Sequence, residues 1–172
     1  ELTDRRKEAL PRLSEHLTEF YGTLTEEKEQ AVLEYRPDLD EMETERLGEH
    51  YLSSREGDRI IGSTRRGPHR DDFRFLLDSR DARNLASEGQ QRGLVLALRI
   101  AEFSFLRDAC ETTPIILLDD ALGELDLERK TNFKSLLPDD AQVFVSGTTP
   151  PDIVGSDEWE TFEVSAGTFR KT

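Results

Sequence analysis

A four-residue apolar run, Ile115-Ile116-Leu117-Leu118, follows Pro114 and stops on two adjacent carboxylates, Asp119 and Asp120. A run this short, continuous rather than alternating, predicts a strand buried on both faces of a parallel sheet. In such α/β sheets ligands bind beyond the carboxyl ends of the strands, which is where the two Asp residues stand. A second β-rich run over Gln142 to Ser146 leads into Gly147-Thr148-Thr149-Pro150. If the two strands are neighbours, the polar end of the second lies beside the two carboxylates. A strand that simply ends in a solvated acidic turn is the plain alternative.

Upstream, Ser87-Glu88-Gly89-Gln90-Gln91-Arg92 precedes a helical pattern over Gly93 to Cys110, with Leu94, Leu98, Ala101 and Phe105 on one apolar face. Ser87 is a strong N-cap residue, and Gln90 stands three positions on, where the reciprocal partner of a capping box belongs. The free N–H groups of the first turn, the Ser87 hydroxyl and the backbone at Gly89 make an anion site, and glycine lets a phosphate approach the main chain. An ordinary capped helix has the same pattern. Downstream, Gly123-Glu124-Leu125-Asp126 permits a sharp turn and places Asp126 to cap a helix over Leu127 to Leu137, with Phe133, Leu136 and Leu137 as its apolar stripe. At the strand end, Asp119 can hold Mg²⁺ through waters, and Asp120 can orient or deprotonate an attacking water.

Composition limits the partners. The formal net charge is −14, which argues against a DNA-binding surface on this chain alone, because phosphate-neutralising surfaces are basic. Short basic clusters occur at Arg5-Arg6-Lys7 and at Arg65-Arg66 with Arg70, and a solvated face explains such clusters as well as a ligand does. One cysteine, Cys110, allows no internal disulfide and suits a reducing cytoplasm. No apolar run approaches the roughly 20 residues of a membrane span.

The pattern divides near residue 60. Leu10, Leu13, Leu17, Phe20, Tyr21 and Leu24 keep helical spacing, with Pro11 marking a kink or the helix start. Gln30 to Tyr35 reads as a short strand, and Leu39, Met42, Leu47 and Tyr51 as a second amphipathic helix. From Gly62 on, Phe73, Phe75 and Leu77 alternate with polar residues, and Asp78 to Asp81 reads as a turn into a hairpin partner. Trp159 to Val164 and Thr168 to Lys171, joined at Ala166-Gly167, predict a closing hairpin.

The order of these pieces resembles ABC-type ATPases of the SMC and recombination-repair group, and within it the RecF family. The resemblance rests on Gly67-Pro68-His69-Arg70-Asp71-Asp72, Ser87 to Arg92, Leu94 to Glu102, Leu117-Leu118-Asp119-Asp120, Glu124-Leu125-Asp126 and Gln142 to Val145. An Asp at position 120, where most ABC ATPases have Glu, and a Thr-rich turn at 148, where most have His, favour RecF over its relatives.

The resemblance implies the carboxyl-terminal half of an ABC-type ATPase head over 61–172, a parallel-rich sheet with flanking helices, preceded by the end of a mostly helical arm lobe over 1–60. Ser87, Gly89 and Gln90 then belong to the signature motif, which binds the ATP γ-phosphate across a dimer interface. Asp119 corresponds to the Walker B aspartate with Mg²⁺, Asp120 to the catalytic carboxylate, Gly123 and Asp126 to the D-loop, and Thr148 to the switch position. His69 and Arg70 belong to a family motif that could touch nucleotide or DNA, or could simply form a turn with local pairs. The sequence contains no Gly-x-x-x-x-Gly-Lys-Ser/Thr, so the loop for the α- and β-phosphates is expected upstream, and this chain is expected to bind ATP weakly or not at all alone. The implied cofactors are ATP and Mg²⁺. The implied partners are a second copy in an ATP-dependent homodimer, double-stranded and gapped DNA, and the RecR and RecO proteins, in a cytoplasmic pathway that promotes RecA loading. Two other readings stand beside it, a non-catalytic interaction module and the head of a different SMC-like ATPase.

Overall fold

A computed structural model describes residues 1–39, 44–110, 112–120, 126–148 and 159–172. The elements run, in chain order, α1 (Leu2–Thr25), β1 (Ala31–Arg36), α2 (Thr44–Ile61), a 3₁₀ turn (Pro68–Arg70), β2 (Asp72–Leu77), β3 (Arg80–Asp81), α3 (Ala82–Leu85), α4 (Glu88–Cys110), β4 (Ile116–Asp119), α5 (Leu127–Leu136), β5 (Val143–Ser146), β6 (Phe162–Ser165) and β7 (Thr168–Lys171). The class is α/β, as the sequence predicts. Met42 of the expected second helix, Gly123 and Thr149 lie outside the described residues.

Pro11 does not break α1, which is continuous from Leu2 to Thr25. Its buried side Leu10, Leu17, Tyr21 and Leu24 follows the helical spacing, and its main packing partner is α4. β1 pairs antiparallel with β2, placing Ala31 opposite Leu77, Leu33 opposite Phe75, and Tyr35 opposite Phe73 on one face. The Tyr35 and Phe73 rings stack with centroids 5.6 Å apart.

These elements share a core of Leu10, Leu17, Tyr21, Ala31, Leu33, Leu77, Ala82, Leu94, Ala97 and Ala101. The division expected near residue 60 therefore runs through a packed unit. Residues 1–36 close onto the elements after residue 70, because α1 needs the face of α4 and β1 needs the edge of β2. Within the first 60 residues α2 differs: Leu52 and Ile60 are exposed.

A second core gathers Leu24, Leu96, Ile100, Phe103, Ile116, Leu118 and Phe133. The helix α4 is thus buried on two sides. Leu94, Ala97 and Ala101 face α1, while Leu96, Ile100 and Phe103 face the second core, a breadth the single expected stripe did not include.

β4 and β5 form a parallel pair in register, Ile116 with Val143 through Asp119 with Ser146. Burial alternates along β4: Ile116 and Leu118 are inside, whereas Leu117 is 74% exposed. The expectation of a strand buried on both faces is corrected here. α4 and α5 cover one side of the pair, and the other side presents Ile115, Leu117 and Phe144 to solvent. The expected closing hairpin is present as β6–β7, turning at Ala166 (φ 47°) and Gly167 (φ 75°), a left-handed pair as tight hairpins demand.

Candidate functional site

The turn before α4 is a capping box with both bonds made. The Gln90 N–H donates to Ser87 Oγ at 3.3 Å, and the Ser87 N–H donates to Gln90 Oε1 at 2.7 Å. The Gln91 N–H is taken by the Ser87 carbonyl at 2.9 Å. Among the described residues the N–H groups of Glu88 and Gly89 make no hydrogen bond, so with the Ser87 hydroxyl proton they remain as donors at the positive end of a 23-residue helix. Over this turn lies a cation that the sequence reading missed. Arg129 of α5 brings Nη1 within 2.9 Å of where a side-chain carbon on Gly89 would stand. Glycine here admits the guanidinium as well as any anion that approaches the backbone.

Arg129 arrives there because α5 begins as its first residues predict. Asp126 is the N-cap, its Oδ1 accepting from the Arg129 N–H at 2.8 Å. Phe133, fully buried, fixes the helix on the second core. The α5 cap and the signature-like turn are therefore neighbours, which their separation in sequence does not show.

The carboxylate pair stands at the carboxyl end of β4. Ser146, its parallel neighbour, donates a short hydroxyl hydrogen bond to Asp119 Oδ1. The Asp120 N–H donates to the Ser146 carbonyl at 3.0 Å, and Asp120 then adopts a left-handed backbone (φ 51°). Asp tolerates that conformation better than most residues. Asp119 and Asp120 are both exposed. Thr148 is also exposed, two residues beyond Ser146; the group that touches Asp119 is Ser146. Among the described residues no hydrogen bond joins Asp119 or Asp120 to the Ser87–Gln90 turn. The donor set at the strand end is all oxygen, exposed, and has one Asp119 oxygen already held, which fits a hard and largely hydrated ion such as Mg²⁺.

The Gly67–Asp72 string is a latch between elements. The Asp71 side chain is 2% exposed, and it accepts from Arg6 Nη1 at 2.5 Å, from the Asp38 N–H at 3.0 Å and from the Tyr35 hydroxyl. Burial pushes its carboxyl up, but the bonds from Tyr35, the Asp38 backbone and Arg6 outweigh that and hold it below the ordinary carboxylate value. Gly67 has φ 127° and a side-chain carbon there would meet Tyr51 Oη at 3.0 Å, so glycine is required. His69 and Arg70 are exposed: His69 Nε2 lies 2.9 Å from the Thr64 carbonyl, and Arg70 Nη2 donates to the same oxygen at 3.3 Å. In the adjacent basic cluster Arg65 pairs with Asp58 and Arg66 with Asp38. Asp71 carried no signal in the sequence beyond its place in the string.

No family model matches the chain. Curated relatives do. A protein of Geobacter sp. (strain M21) described as DNA replication and repair protein RecF is 38% identical over 174 residues, covering 95% of this chain and 48% of the relative. The counterpart from Geotalea uraniireducens (strain Rf4) is 35% identical over 173 residues with the same coverage. Over nearly its whole length the chain is similar to proteins described as RecF. It spans about half the length of the curated relatives it matches. Among solved structures, one described as the recombination mediator protein RecF-ATP in the RecFOR pathway superposes with a TM-score of 0.77 at 29% identity, covering 99% of this chain and 46% of that one. A second, described as RecF-ATPrS, has a TM-score of 0.75 at 29% identity and covers 96% of this chain. The α/β architecture described above is thus the RecF fold over the part this chain spans.

Proposed function

We propose that this chain carries the signature turn and the hydrolytic carboxylates of a RecF-like DNA repair ATPase, an ABC-type head that dimerises on ATP. The observation that carries the reading is the parallel β4–β5 pair, which sets Asp119 against Ser146 and turns Asp120 outward at the strand end. Supporting it, the capping box does not use the Ser87 hydroxyl proton or the Glu88 and Gly89 N–H groups, a set of donors suited to a γ-phosphate.

In this reading Asp119, oriented by Ser146, would hold Mg²⁺, and the ion would supply neutralisation of phosphate charge. Asp120 orients the attacking water and accepts its proton. Ser87, Gly89 and Gln90 serve the nucleotide of the other subunit. Asp126 and Gly123 belong to the loop along the seam, and Thr148 stands at the switch position. The loop for the α- and β-phosphates comes from the part of the relatives that this chain does not span. ATP then joins the two subunits because each site is completed in trans, and hydrolysis removes the joint.

At the level of the whole protein, the dimer acts on double-stranded and gapped DNA and, with RecO and RecR, supports RecA loading in recombinational repair. Its DNA-facing charge comes mainly from outside this acidic chain. His69 and Arg70, already tied to Thr64, act as parts of the latch loop, and a nucleotide or DNA contact is the alternative role.

Asp120→Asn in the full-length protein tests the assignment. Hydrolysis should fall by about 10²- to 10⁴-fold, the usual contribution of a general base, while ATP-dependent dimerisation persists. Unchanged turnover would sink the role of Asp120. A folded full-length protein that binds no ATP at all would favour the interaction-module reading, for which the exposed Leu117 and Phe144 face is the motivating feature.

A further inference from the structure

The turn between α1 and β1 is under strain and is held from several sides. Glu26 and Glu27 both have left-handed backbones, φ 53° and 58°, although neither is glycine. Such pairs persist only where the surroundings fix them. Here the Glu27 N–H closes on the Gly22 carbonyl at 2.8 Å. Gln30 is gripped by Asp78, whose Oδ1 accepts from the Gln30 N–H at 3.0 Å and whose own N–H donates back to the Gln30 carbonyl at 2.9 Å.

The strained turn presents one side chain to the signature-like helix. Glu29 Oε1 accepts from Gln90 Nε2 at 2.5 Å, and Glu29 Oε2 accepts from the Tyr21 hydroxyl at 2.7 Å. Tyr21 is fully buried, and burial followed by its bond to Glu29 pushes the phenol above its ordinary value, so it stays a donor.

An ionised carboxylate accepts and cannot donate, so Gln90 can offer it only the amide nitrogen. The amide oxygen is thereby directed to the Ser87 N–H, the bond that closes the capping box. Without Glu29 the amide is free to flip and to leave the Ser87 N–H unpaired. The chain Tyr21, Glu29, Gln90, Ser87 thus runs from the core to the donors at the helix end.

Resting on the ATPase reading above, we infer that Glu29, backed by Tyr21, is a positioning residue for the signature turn: it fixes the Gln90 amide so that the Ser87 and Gly89 donors are already set when a nucleotide arrives from the other subunit. Its effect falls on the joining of two subunits and not on the loading of ATP by each one.

The experiment uses the full-length protein and two readouts: ATP binding at concentrations where the protein is monomeric, and the protein concentration at which ATP produces dimer, by analytical ultracentrifugation. Glu29→Ala should raise the dimerisation midpoint about tenfold, the worth of one hydrogen bond to a charged group, with monomer ATP affinity unchanged. Gln90→Glu alone sets two carboxylates against each other and should be at least as impaired. The double variant Glu29→Gln with Gln90→Glu reverses the polarity of the pair. The amide now at position 29 donates to the carboxylate now at position 90, which still accepts from the Ser87 N–H. The amide oxygen at position 29 still accepts from Tyr21. Because Gln90→Glu and the double variant carry the same new charge beside the nucleotide, the swap is read against Gln90→Glu: it should lower the midpoint about tenfold from that variant's, and it keeps the test sound if Glu29→Ala fails to fold. A wild-type midpoint for Glu29→Ala, or a double variant no better than Gln90→Glu, overturns the inference. Ser87→Arg in the same assay separates the two levels: if it too dimerises normally, the signature reading fails; if it is blocked while Glu29→Ala is not, only the positioning role fails.

Discussion

Replacing Phe133 by alanine removes the single buried side chain of α5 among the described residues. The ring is 0% exposed and lies among Leu24, Ile100, Phe103, Ile116 and Leu118, contributed by α1, α4 and β4. These neighbours belong to long helices and a paired strand, which cannot collapse far into the space left behind. The cost should therefore lie in the upper part of the range for such truncations, about 4–5 kcal/mol. A chain of 172 residues has a total stability of roughly 9–26 kcal/mol at the usual 0.05–0.15 kcal/mol per residue, so this is a large fraction of it. At about 2–4 °C per kcal/mol, the thermal midpoint should drop by roughly 8–20 °C. Urea unfolding followed by far-ultraviolet circular dichroism measures the loss directly, as a lower midpoint at an unchanged slope. Phe133→Leu, which refills part of the volume, should cost about 1–2 kcal/mol. A loss below about 1 kcal/mol for Phe133→Ala would refute the second core, and with it the argument that Phe133 sets Arg129 over Gly89.

In the full-length protein Ser87→Arg should abolish the ATP-dependent dimer while each subunit still binds ATP, because the long cation fills the space between the helix end and the phosphate; an intact dimer by light scattering would count against the signature role. Acid should expose the latch. The folded Asp71 carboxyl lies below its unfolded value near 3.9, so its contribution is complete above that pH and is lost as the pH falls through the lower folded value. Below about pH 4 the wild-type unfolding midpoint should therefore fall more steeply than that of Asp71→Asn, which lacks the titrating group, and parallel curves would remove Asp71 as the keystone of the Gly67–Asp72 string.

Much of the local structure was readable because short-range chemistry sets it. Ser87 and Gln90 three positions apart make the two bonds of a capping box, and Asp126 caps α5 through the Arg129 N–H. The β-rich run ending at Ser146 pairs with the run ending at Asp119, and Ala166-Gly167 turns the last hairpin. Other features were hidden because they depend on what lies opposite. A continuous apolar run reads as a doubly buried strand, yet Leu117 is exposed since α4 and α5 cover only one side of the β4–β5 pair. The apparent boundary near residue 60 came from a change of pattern, whereas the packing of α1 on α4 and of β1 on β2 unites the two sides of it.

The sequence by itself determined the elements, their caps, and the residue types that stand at each strand end and helix start, because capping, turn conformation and side-chain period act over three or four residues. Only the tertiary structure decided which of those ends meet. Asp71 draws in Arg6 and Tyr35 from 65 and 36 residues away, Glu29 reaches Gln90 across 61, and Arg129 comes to lie over Gly89. Each is a polar side chain whose partner is fixed by how α1, α4 and α5 pack, and packing joins residues that no short window of sequence holds together.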